Sequence, residues 1–305
     1  RVLGGQLKHG HVMIGPWLLS HESGPTDFEP ESGHEDFVEI CRNAGLPVRV
    51  GRWAIPGRPL VVLVQFSGLF ERKDAVLSNL WERFGVDSLT GAWDYLEPVL
   101  FGHAAGEVIR LWWEHRLAPE GRSAVAQFHE WMTASGLLHL KAQTPAIGTV
   151  FPTHATALGR SIAGSGLPPI QGLGTRAPNL VAEEYGIRAK HSLESIAARN
   201  ADAFTTVSGI TAREATVLLG REPDPVTPNG MDLTVLKAHA RGVDARTARA
   251  ALQRVAEKFL GAPLDDAALA AISGRYEFYN KGIDLLLDAA AELRGIAVGP
   301  DELTI

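Results

Sequence analysis

The 305-residue chain has a single cysteine, Cys41, which excludes a disulfide framework and any metal site built from several cysteines. One cysteine is typical of a reducing compartment, so we expect a cytoplasmic protein. No run of 18 apolar residues occurs, so the sequence predicts no membrane-spanning helix. With 29 Lys and Arg against 35 Asp and Glu, the formal charge is −6, and the basic excess of nucleic-acid binders is missing.

Several catalytic motifs are also missing. The sequence has neither a GxxxxGK[ST] phosphate loop nor a GxSxG nucleophile elbow. Gly172-Leu173-Gly174 lacks the third glycine of a dinucleotide fingerprint. No Asp-x-Asp pair occurs, which disfavours a metal-bridged sugar-nucleotide site. Any diphosphate would then have to be neutralised by cationic side chains.

Short apolar runs alternate with helical patterns, which predicts an α/β protein with a doubly wound sheet. Continuous Val, Ile and Leu runs favour parallel strands covered on both faces. Strands are predicted at His11–Gly15, Val48–Trp53, Leu60–Phe66, Ala124–Phe128, Ala146–Phe151 and Ala203–Val207. Helices are predicted at Asp74–Phe84, Tyr95–His115, Trp131–Ala142, Asn179–Arg199 and Thr211–Leu219, the last ending at Gly220. Loops are predicted at Thr26–Asp36 and Gly164–Pro178.

The pattern changes at Thr227-Pro228-Asn229-Gly230, which predicts one domain over residues 1–229 and the start of another over 230–305. The second part has a helical stretch at Leu236–Leu260, a predicted strand at Leu269–Gly274 and a predicted helix at Gly282–Leu293. One strand and one helix cannot bury their own faces. Because the chain also starts at Arg rather than Met, we expect a fragment cut at both ends.

Polar residues collect where two predicted strands end, and ligands bind outside the carboxyl ends of parallel strands. His129 and Glu130 follow one strand, and His154 follows the next. The histidines are suited to hydrogen bonding a sugar or phosphate, to acid–base catalysis, or only to helix capping and packing at the sheet edge. Because Glu130 shares the edge, we favour a function over simple packing. A metal site is disfavoured, since no third ligand has a suitable spacing.

Arg275 and Lys281 are six residues apart, between the predicted strand and helix of the second part. A guanidinium, an ammonium and a helix N-terminus can meet there at a point that suits a phosphate. Position alone leaves open the alternative that both are ordinary surface side chains.

Several blocks of the sequence resemble glycogen synthase of the fungal and animal type. They run across almost the whole chain, and several are long and unusual, so the resemblance is specific. The blocks are Ala126–Trp131 (AQFHEW), Thr153–Arg160 (THATALGR), Phe204–Glu214 (FTTVSGITARE), Val226–Asp232 (VTPNGMD) and Ser273–Gly282 (SGRYEFYNKG), with shorter matches at Ile14–Pro16 and Gly51–Gly57.

The resemblance implies a retaining glycosyltransferase of GT-B architecture, with two facing Rossmann-like domains of which the second is truncated here. It implies transfer of glucose from a sugar nucleotide, UDP-glucose before ADP-glucose, to the non-reducing end of an α-1,4-glucan such as glycogen. No metal or other cofactor is expected. The choice between UDP-glucose and ADP-glucose stays open, because much of the base pocket is expected outside this chain. A homo-oligomer is compatible with the resemblance, because Leu236–Leu260 lies where family members make intersubunit contacts.

The resemblance also assigns catalytic residues. It implies that Arg275 and Lys281 bind the donor diphosphate and help the leaving group depart. It implies that His154 lies near the transferred glucose, and that the Glu130 carboxylate can steady positive charge on the sugar ring.

Three further residues are expected in the donor site. Lys190 stands where the family has an arginine that faces the phosphates, a change that loses the fork geometry of a guanidinium. His129 and Asn229 belong to two of the matching blocks and are expected to contact the donor.

Two family features are expected outside this chain. One is a glycine-rich K-x-G-G donor loop that precedes the first strand, and the other is the second domain's pair of glutamates eight residues apart, one of them catalytic, which is expected beyond Ile305. We therefore expect the 305-residue chain alone to be inactive. The alternatives are another GT-B glycosyltransferase, of the trehalose- or sucrose-forming kind, and a non-catalytic glucan-binding scaffold that kept the fold.

Overall fold

The computed structural model describes residues 10–18, 27–231, 233–264 and 269–293. The chain divides into two compact units: unit 1 consists of residues 1–162 and 168–229, and unit 2 consists of residues 163–167 and 230–305. Within the described ranges, no helix is long and apolar enough to cross a membrane.

The described residues of unit 1 form two separate sheets. Sheet 1 has the strand order β1-β4-β3-β2, with β1 parallel to β4 and the other neighbours antiparallel. Sheet 2 has the order β5-β6-β7 and is parallel throughout. The strands are β1 (Val12–Pro16), β2 (Phe28–Pro30), β3 (Val48–Trp53), β4 (Leu60–Val64), β5 (Val125–Gln127), β6 (Gly148–Thr153) and β7 (Ala203–Thr206).

Helices pack against both sheets. Those of unit 1 are α1 (Glu35–Asn43), α2 (Lys73–Phe84), α3 (Trp93–Trp112), α4 (Ala134–Gln143), α5 (Ala157–Gly164, whose last two residues belong to unit 2), α6 (Pro169–Leu173), α7 (Pro178–Glu184), α8 (Arg188–Asn200) and α9 (Gly209–Leu219). Those of unit 2 are α10 (Leu233–Ala240), α11 (Ala245–Leu260) and α12 (Ile283–Leu293).

Helix α3 joins the two cores of unit 1. Its residues Tyr95 and Val99 belong to the core of sheet 2, whereas Leu100 and Ala104 belong to the core of sheet 1. The side of α3 that faces α4 carries glycine. A Cβ on Gly136 of α4 would stand 2.3 Å from the backbone oxygen of Gly102. The lack of a side chain at this position therefore lets the two helices approach closely.

Replacing Gly136 by alanine should lower the free energy of unfolding of unit 1 by about 2–3 kcal/mol. The new methyl group overlaps backbone that cannot rotate away, and this outweighs the ~1 kcal/mol that alanine gains in helix propensity. Gly209→Ala is the matched control, because nothing lies within 4 Å of a Cβ there. Urea unfolding followed by tryptophan fluorescence reports on unit 1, which holds all seven tryptophans. Equal stability of the two variants would contradict the expectation.

The α/β class is confirmed, and strands lie at all six predicted positions of residues 1–229. The single doubly wound parallel sheet is wrong, because the strands form two sheets and β3 pairs with β4 antiparallel. Only the six residues 54–59 join β3 to β4, and a parallel crossover needs a dozen or more. The predicted loop Thr26–Asp36 is wrong in its described part, which contains β2 and the start of α1. The predicted loop Gly164–Pro178 is wrong in its middle, which forms α6.

Glycines in left-handed conformation break two of the predicted helices. The pattern at Asn179–Arg199 becomes α7 and α8, separated at Gly186 with φ 67°. The pattern at Leu236–Leu260 becomes α10 and α11, separated at Gly242 with φ 83°. By contrast α9 ends as predicted, at Gly220 with φ 75°.

The predicted helix of residues 282–293 is confirmed as α12, but the predicted strand Leu269–Gly274 is wrong. These six residues form no ladder with any described strand. A strand needs a neighbour to receive its backbone hydrogen bonds, and unit 2 offers none among its described residues. The domain boundary at residues 229 and 230 stays a prediction.

Candidate functional site

The carboxyl edge of sheet 2 brings His129 and His154 together. β5 ends just before the Phe128-His129-Glu130 turn, and β6 ends at the residue before His154. Because β5 and β6 are parallel neighbours, both turns emerge on the same edge. The two imidazole rings lie 6.3 Å apart between centroids, with 25° between their planes. His154 is half-buried and His129 is more open to solvent.

Glu130 is held in a strained backbone conformation. Its φ of 62° and ψ of 171° fall in a region that is almost exclusive to glycine and costs about 1–3 kcal/mol. Its backbone N–H donates to the carbonyl of Pro152 at 3.0 Å, and its Oε1 accepts from the backbone N–H of His154 at 2.9 Å. The strain is thus maintained by contacts that tie the two turns together.

The ring of His129 is oriented by its neighbours. Nε2 of His129 lies 2.9 Å from Nε2 of Gln127, and the His129 carbonyl accepts from the Thr133 hydroxyl at 2.9 Å. The pKa of His129 is lowered, because desolvation disfavours the charged imidazole and a charged His154 would repel it. At neutral pH His129 is therefore a neutral group that can donate one hydrogen bond and accept another.

Lys190 reaches the same region from the first turn of α8. Its ammonium pairs with the Asp94 carboxylate and lies 5.3 Å from the centre of the Trp131 ring. Trp131 in turn stacks on Tyr95, with ring centroids 6.1 Å apart. Lys190 thus stands beside the AQFHEW block, but a phosphate there would have to share the lysine with Asp94.

The turn that carries His154, residues 153–157 (the histidine loop), is built by its two threonines. Thr156 caps α5, because its Oγ1 accepts from the N–H of Gly159 at 2.9 Å. Thr153 is fully buried, and its hydroxyl donates to Oε1 of Glu194 at 3.0 Å. Glu194 on α8 is a residue of this region that the sequence reasoning missed; the signal was an acidic residue beside Leu193, among the apolar residues of α8.

Asn229 is exposed and is the last residue of unit 1. The segment before it continues sheet 2: Val226 bridges to Thr206, and the N–H of Thr227 donates to the Thr206 carbonyl at 2.7 Å. Asn229 therefore follows a chain that leaves the carboxyl edge of sheet 2.

Arg275 and Lys281 both lie in unit 2, around Glu277. The Arg275 side chain is 66% exposed and its guanidinium pairs with the Glu277 carboxylate at 2.9 Å. The backbone N–H of Lys281 donates to the Glu277 carbonyl at 2.9 Å. The aliphatic part of Lys281 lies over Gly274, where a Cβ would stand 3.2 Å from the lysine Cγ and Cδ. The lysine is exposed, so both cationic groups are accessible to a ligand.

In the described part of the chain, no three His, Cys, Asp or Glu side chains lie together in a way that could hold a metal ion. Cys41 lies in the core of sheet 1, where burial raises the pKa of its thiol to about 12, so it contributes packing rather than a nucleophile.

The comparison with known families decides the assignment. The family model described as "Glycogen synthase" matches residues 2–298. The chain belongs to the glycogen synthase family. The resemblance seen in the blocks of the sequence is thereby confirmed.

Glycogen synthases of animals, fungi and amoebae are similar to this chain. It is 32% identical over 292 residues to the liver glycogen [starch] synthase of Rattus norvegicus, which covers 93% of this chain and 41% of the relative. It is 30% identical to isoform 2 of Saccharomyces cerevisiae (94% and 43%) and 29% identical to the enzyme of Dictyostelium discoideum (94% and 33%). The chain thus spans less than half the length of these glycogen synthases.

A solved structure gives a looser similarity. The catalytic domain of starch synthase IV from Arabidopsis thaliana, bound to ADP and acarbose, is 14% identical with a TM-score of 0.33, covering 73% of this chain and 52% of that one. A score at this level does not establish a common fold.

Proposed function

We propose that the protein to which this chain belongs transfers glucose from UDP-glucose to the non-reducing end of an α-1,4-glucan, with retention of configuration. The observation that carries this proposal is the meeting of His129, Glu130 and His154 at the carboxyl edge of sheet 2, in a chain of the glycogen synthase family. We further propose a GT-B arrangement, with residues 1–229 as the acceptor-side domain and 230–305 as the beginning of the nucleotide-sugar domain.

The leaving group sets the first chemical demand. When the bond between C1 of glucose and the phosphate oxygen breaks, the electron pair stays on the diphosphate, which gains negative charge. We assign Arg275 and Lys281 to stabilise that charge, the first through paired N–H donors and the second as a point charge. The exposure of both side chains supports this role.

The sugar ring sets the second demand, because positive charge develops on it as the leaving group departs. The Glu130 carboxylate lies beside the histidine loop and is suited to steady that charge. His154 is assigned to the hydroxyl groups of the transferred glucose. His129, Lys190 and Asn229 are assigned to the donor, with Lys190 shared between the phosphates and Asp94.

The experiment is a transfer assay on the longer protein that includes this chain. Labelled UDP-glucose and, separately, labelled ADP-glucose are incubated with glycogen in the presence of EDTA, and the label is sought in linear α-1,4 extensions. We expect incorporation from UDP-glucose, undiminished by the chelator. In parallel incubations glucose or fructose replaces glycogen as the acceptor, and label in trehalose or sucrose would then favour the other GT-B class. Glycogen binding without incorporation would favour a scaffold.

A further inference from the structure

Glu194 is a carboxyl group in an apolar setting. It lies on α8 with 0% of its surface exposed, between Leu193 and Ser195 and in a helix whose Ala189 and Ala197 pack in the core of sheet 2. Placing a carboxyl group there costs free energy unless each oxygen receives a hydrogen bond. Two such bonds are made, and both come from the histidine loop.

The two bonds hold the two ends of the histidine loop. Oε1 of Glu194 accepts from the hydroxyl of Thr153 at 3.0 Å, directly before His154. Oε2 accepts from the backbone N–H of Ala157 at 2.8 Å, where α5 begins. One side chain therefore fixes both the end of β6 and the start of α5, and His154 lies between the fixed points.

A second carboxylate acts on the middle of the same loop. Oε1 of Glu130 accepts from the backbone N–H of His154 at 2.9 Å. The loop around His154 is thus held by three hydrogen bonds, two to Glu194 of α8 and one to Glu130 of the neighbouring turn. This is more support than a surface turn needs, and it is the arrangement expected where the direction of one side chain matters.

Glu194 is suited to bridge the histidine loop as a protonated, uncharged acid. Burial, with the negative charge of Glu130, raises the pKa of Glu194 to about 8, against the opposing effects of the Ala157 N–H, Thr153 and Arg160. A glutamine has the same shape as the protonated acid. Its carbonyl can accept from the Ala157 N–H, and its amide can donate to the Thr153 oxygen.

We propose that Glu194 is a positioning residue, which holds the histidine loop at both ends so that the His154 imidazole keeps the direction that glucose transfer requires. This inference rests on the proposed function. Glu194 itself reaches no substrate, because it is fully buried behind the loop.

The test compares Glu194→Gln with Glu194→Leu in the longer protein. Glutamine keeps both hydrogen bonds, so kcat should stay within about threefold of wild type. Leucine has a similar volume but leaves Thr153 and the Ala157 N–H without a partner, so kcat should fall about 10- to 100-fold, with KM for UDP-glucose within about threefold. Because a loss of folded protein would also lower the apparent kcat without changing KM, kcat is expressed per mole of folded protein, with the folded fraction of each variant measured by tryptophan fluorescence.

The matched control lies at the opposite end of β6. Asp202 also bridges a threonine, because its Oδ2 accepts from the N–H and the hydroxyl of Thr149 at 2.7 and 2.8 Å. Asp202 is half-exposed and also pairs with Lys141. Asp202→Leu therefore removes a carboxylate bridge to the same strand, far along it from His154, and kcat should remain within about threefold of wild type.

A kcat for Glu194→Leu within threefold of wild type would overturn the inference. So would a kcat for Glu194→Gln as low as that of Glu194→Leu, because the negative charge of the carboxylate, and not its hydrogen bonds, would then be what matters. If the leucine variant does not fold, Thr153→Val decides, because it removes one of the two contacts and should lower kcat about 3- to 10-fold; an unchanged kcat overturns the inference. A wild-type protein that transfers no glucose would instead refute the proposed function.

Discussion

Lys281→Ala should lower kcat for glucose transfer by the longer protein about 100- to 1000-fold, while KM for glycogen changes little. Removing one preorganised group that stabilises charge in a transition state typically costs about 3–4 kcal/mol. Lys281 is exposed, and its stem packs over Gly274. We expect the larger loss here rather than at Arg275, whose guanidinium already pairs with Glu277.

Lys237→Ala is the matched control for this prediction. Lys237 is another exposed lysine of unit 2, on α10, so its loss changes the net charge equally. A general electrostatic attraction of the donor would lower both activities alike, in a salt-dependent way. A kcat for Lys281→Ala within threefold of wild type would remove the lysine from the proposed mechanism.

His191→Gln should become more stable relative to wild type by about 2–3 kcal/mol when the pH is lowered from 7 to 4.5. His191 is 5% exposed, and its Nδ1 has no hydrogen-bond partner within the described ranges. Burial, and next the charge of Arg199, lower its pKa from 6.5 to about 4. Because the folded value is the lower one, the unfolded chain binds more protons between pH 6.5 and 4, and the stability present above pH 6.5 is lost as pH falls.

The comparison between variants is needed because other groups titrate in the same range. The pKa of Glu194 is raised, so Glu194 destabilises the fold as pH rises from 4.5 to 8, which opposes the histidine. Glu194 is present in wild type and in His191→Gln alike, so its contribution cancels in the difference between their free energies of unfolding. Ser195→Ala is the control, since it removes a buried polar group of the same helix that does not titrate. Urea unfolding by tryptophan fluorescence should give a pH-independent effect for Ser195→Ala, and a pH-independent effect for His191→Gln would contradict the account.

Strand positions were predictable where the chain has short runs of Val, Ile and Leu. The limits of β3 agree with the predicted Val48–Trp53 to the residue, and β7 differs by one residue. The antiparallel pairing of β3 with β4 was not predicted. It could have been, because the link of six residues between the two strands is too short for a parallel crossover. Helix α1 was missed because the acidic stretch before it suggested a loop, and because only two of its nine residues, Phe37 and Cys41, are buried.

The residues of the candidate site that directly follow a strand could be predicted from the sequence. His129, Glu130 and His154 were found because they follow apolar runs, and the parallel pairing of β5 and β6 then brings them together. Glu194 lies 40 residues from His154 in sequence, and only the packing of α8 against sheet 2 brings it behind the histidine loop. The strained backbone of Glu130 was also beyond prediction, since nothing in its residue type favours a φ of 62°.

The most direct test of the central claim, that Arg275 and Lys281 bind the diphosphate of the donor, is a calorimetric titration of the longer protein with UDP and with uridine in EDTA. The account predicts that wild type binds UDP at least 100-fold more tightly than uridine. It also predicts that an Arg275→Ala, Lys281→Ala double variant binds the two almost equally. Wild-type affinity of the double variant for UDP, or UDP binding that needs a divalent cation, would contradict it.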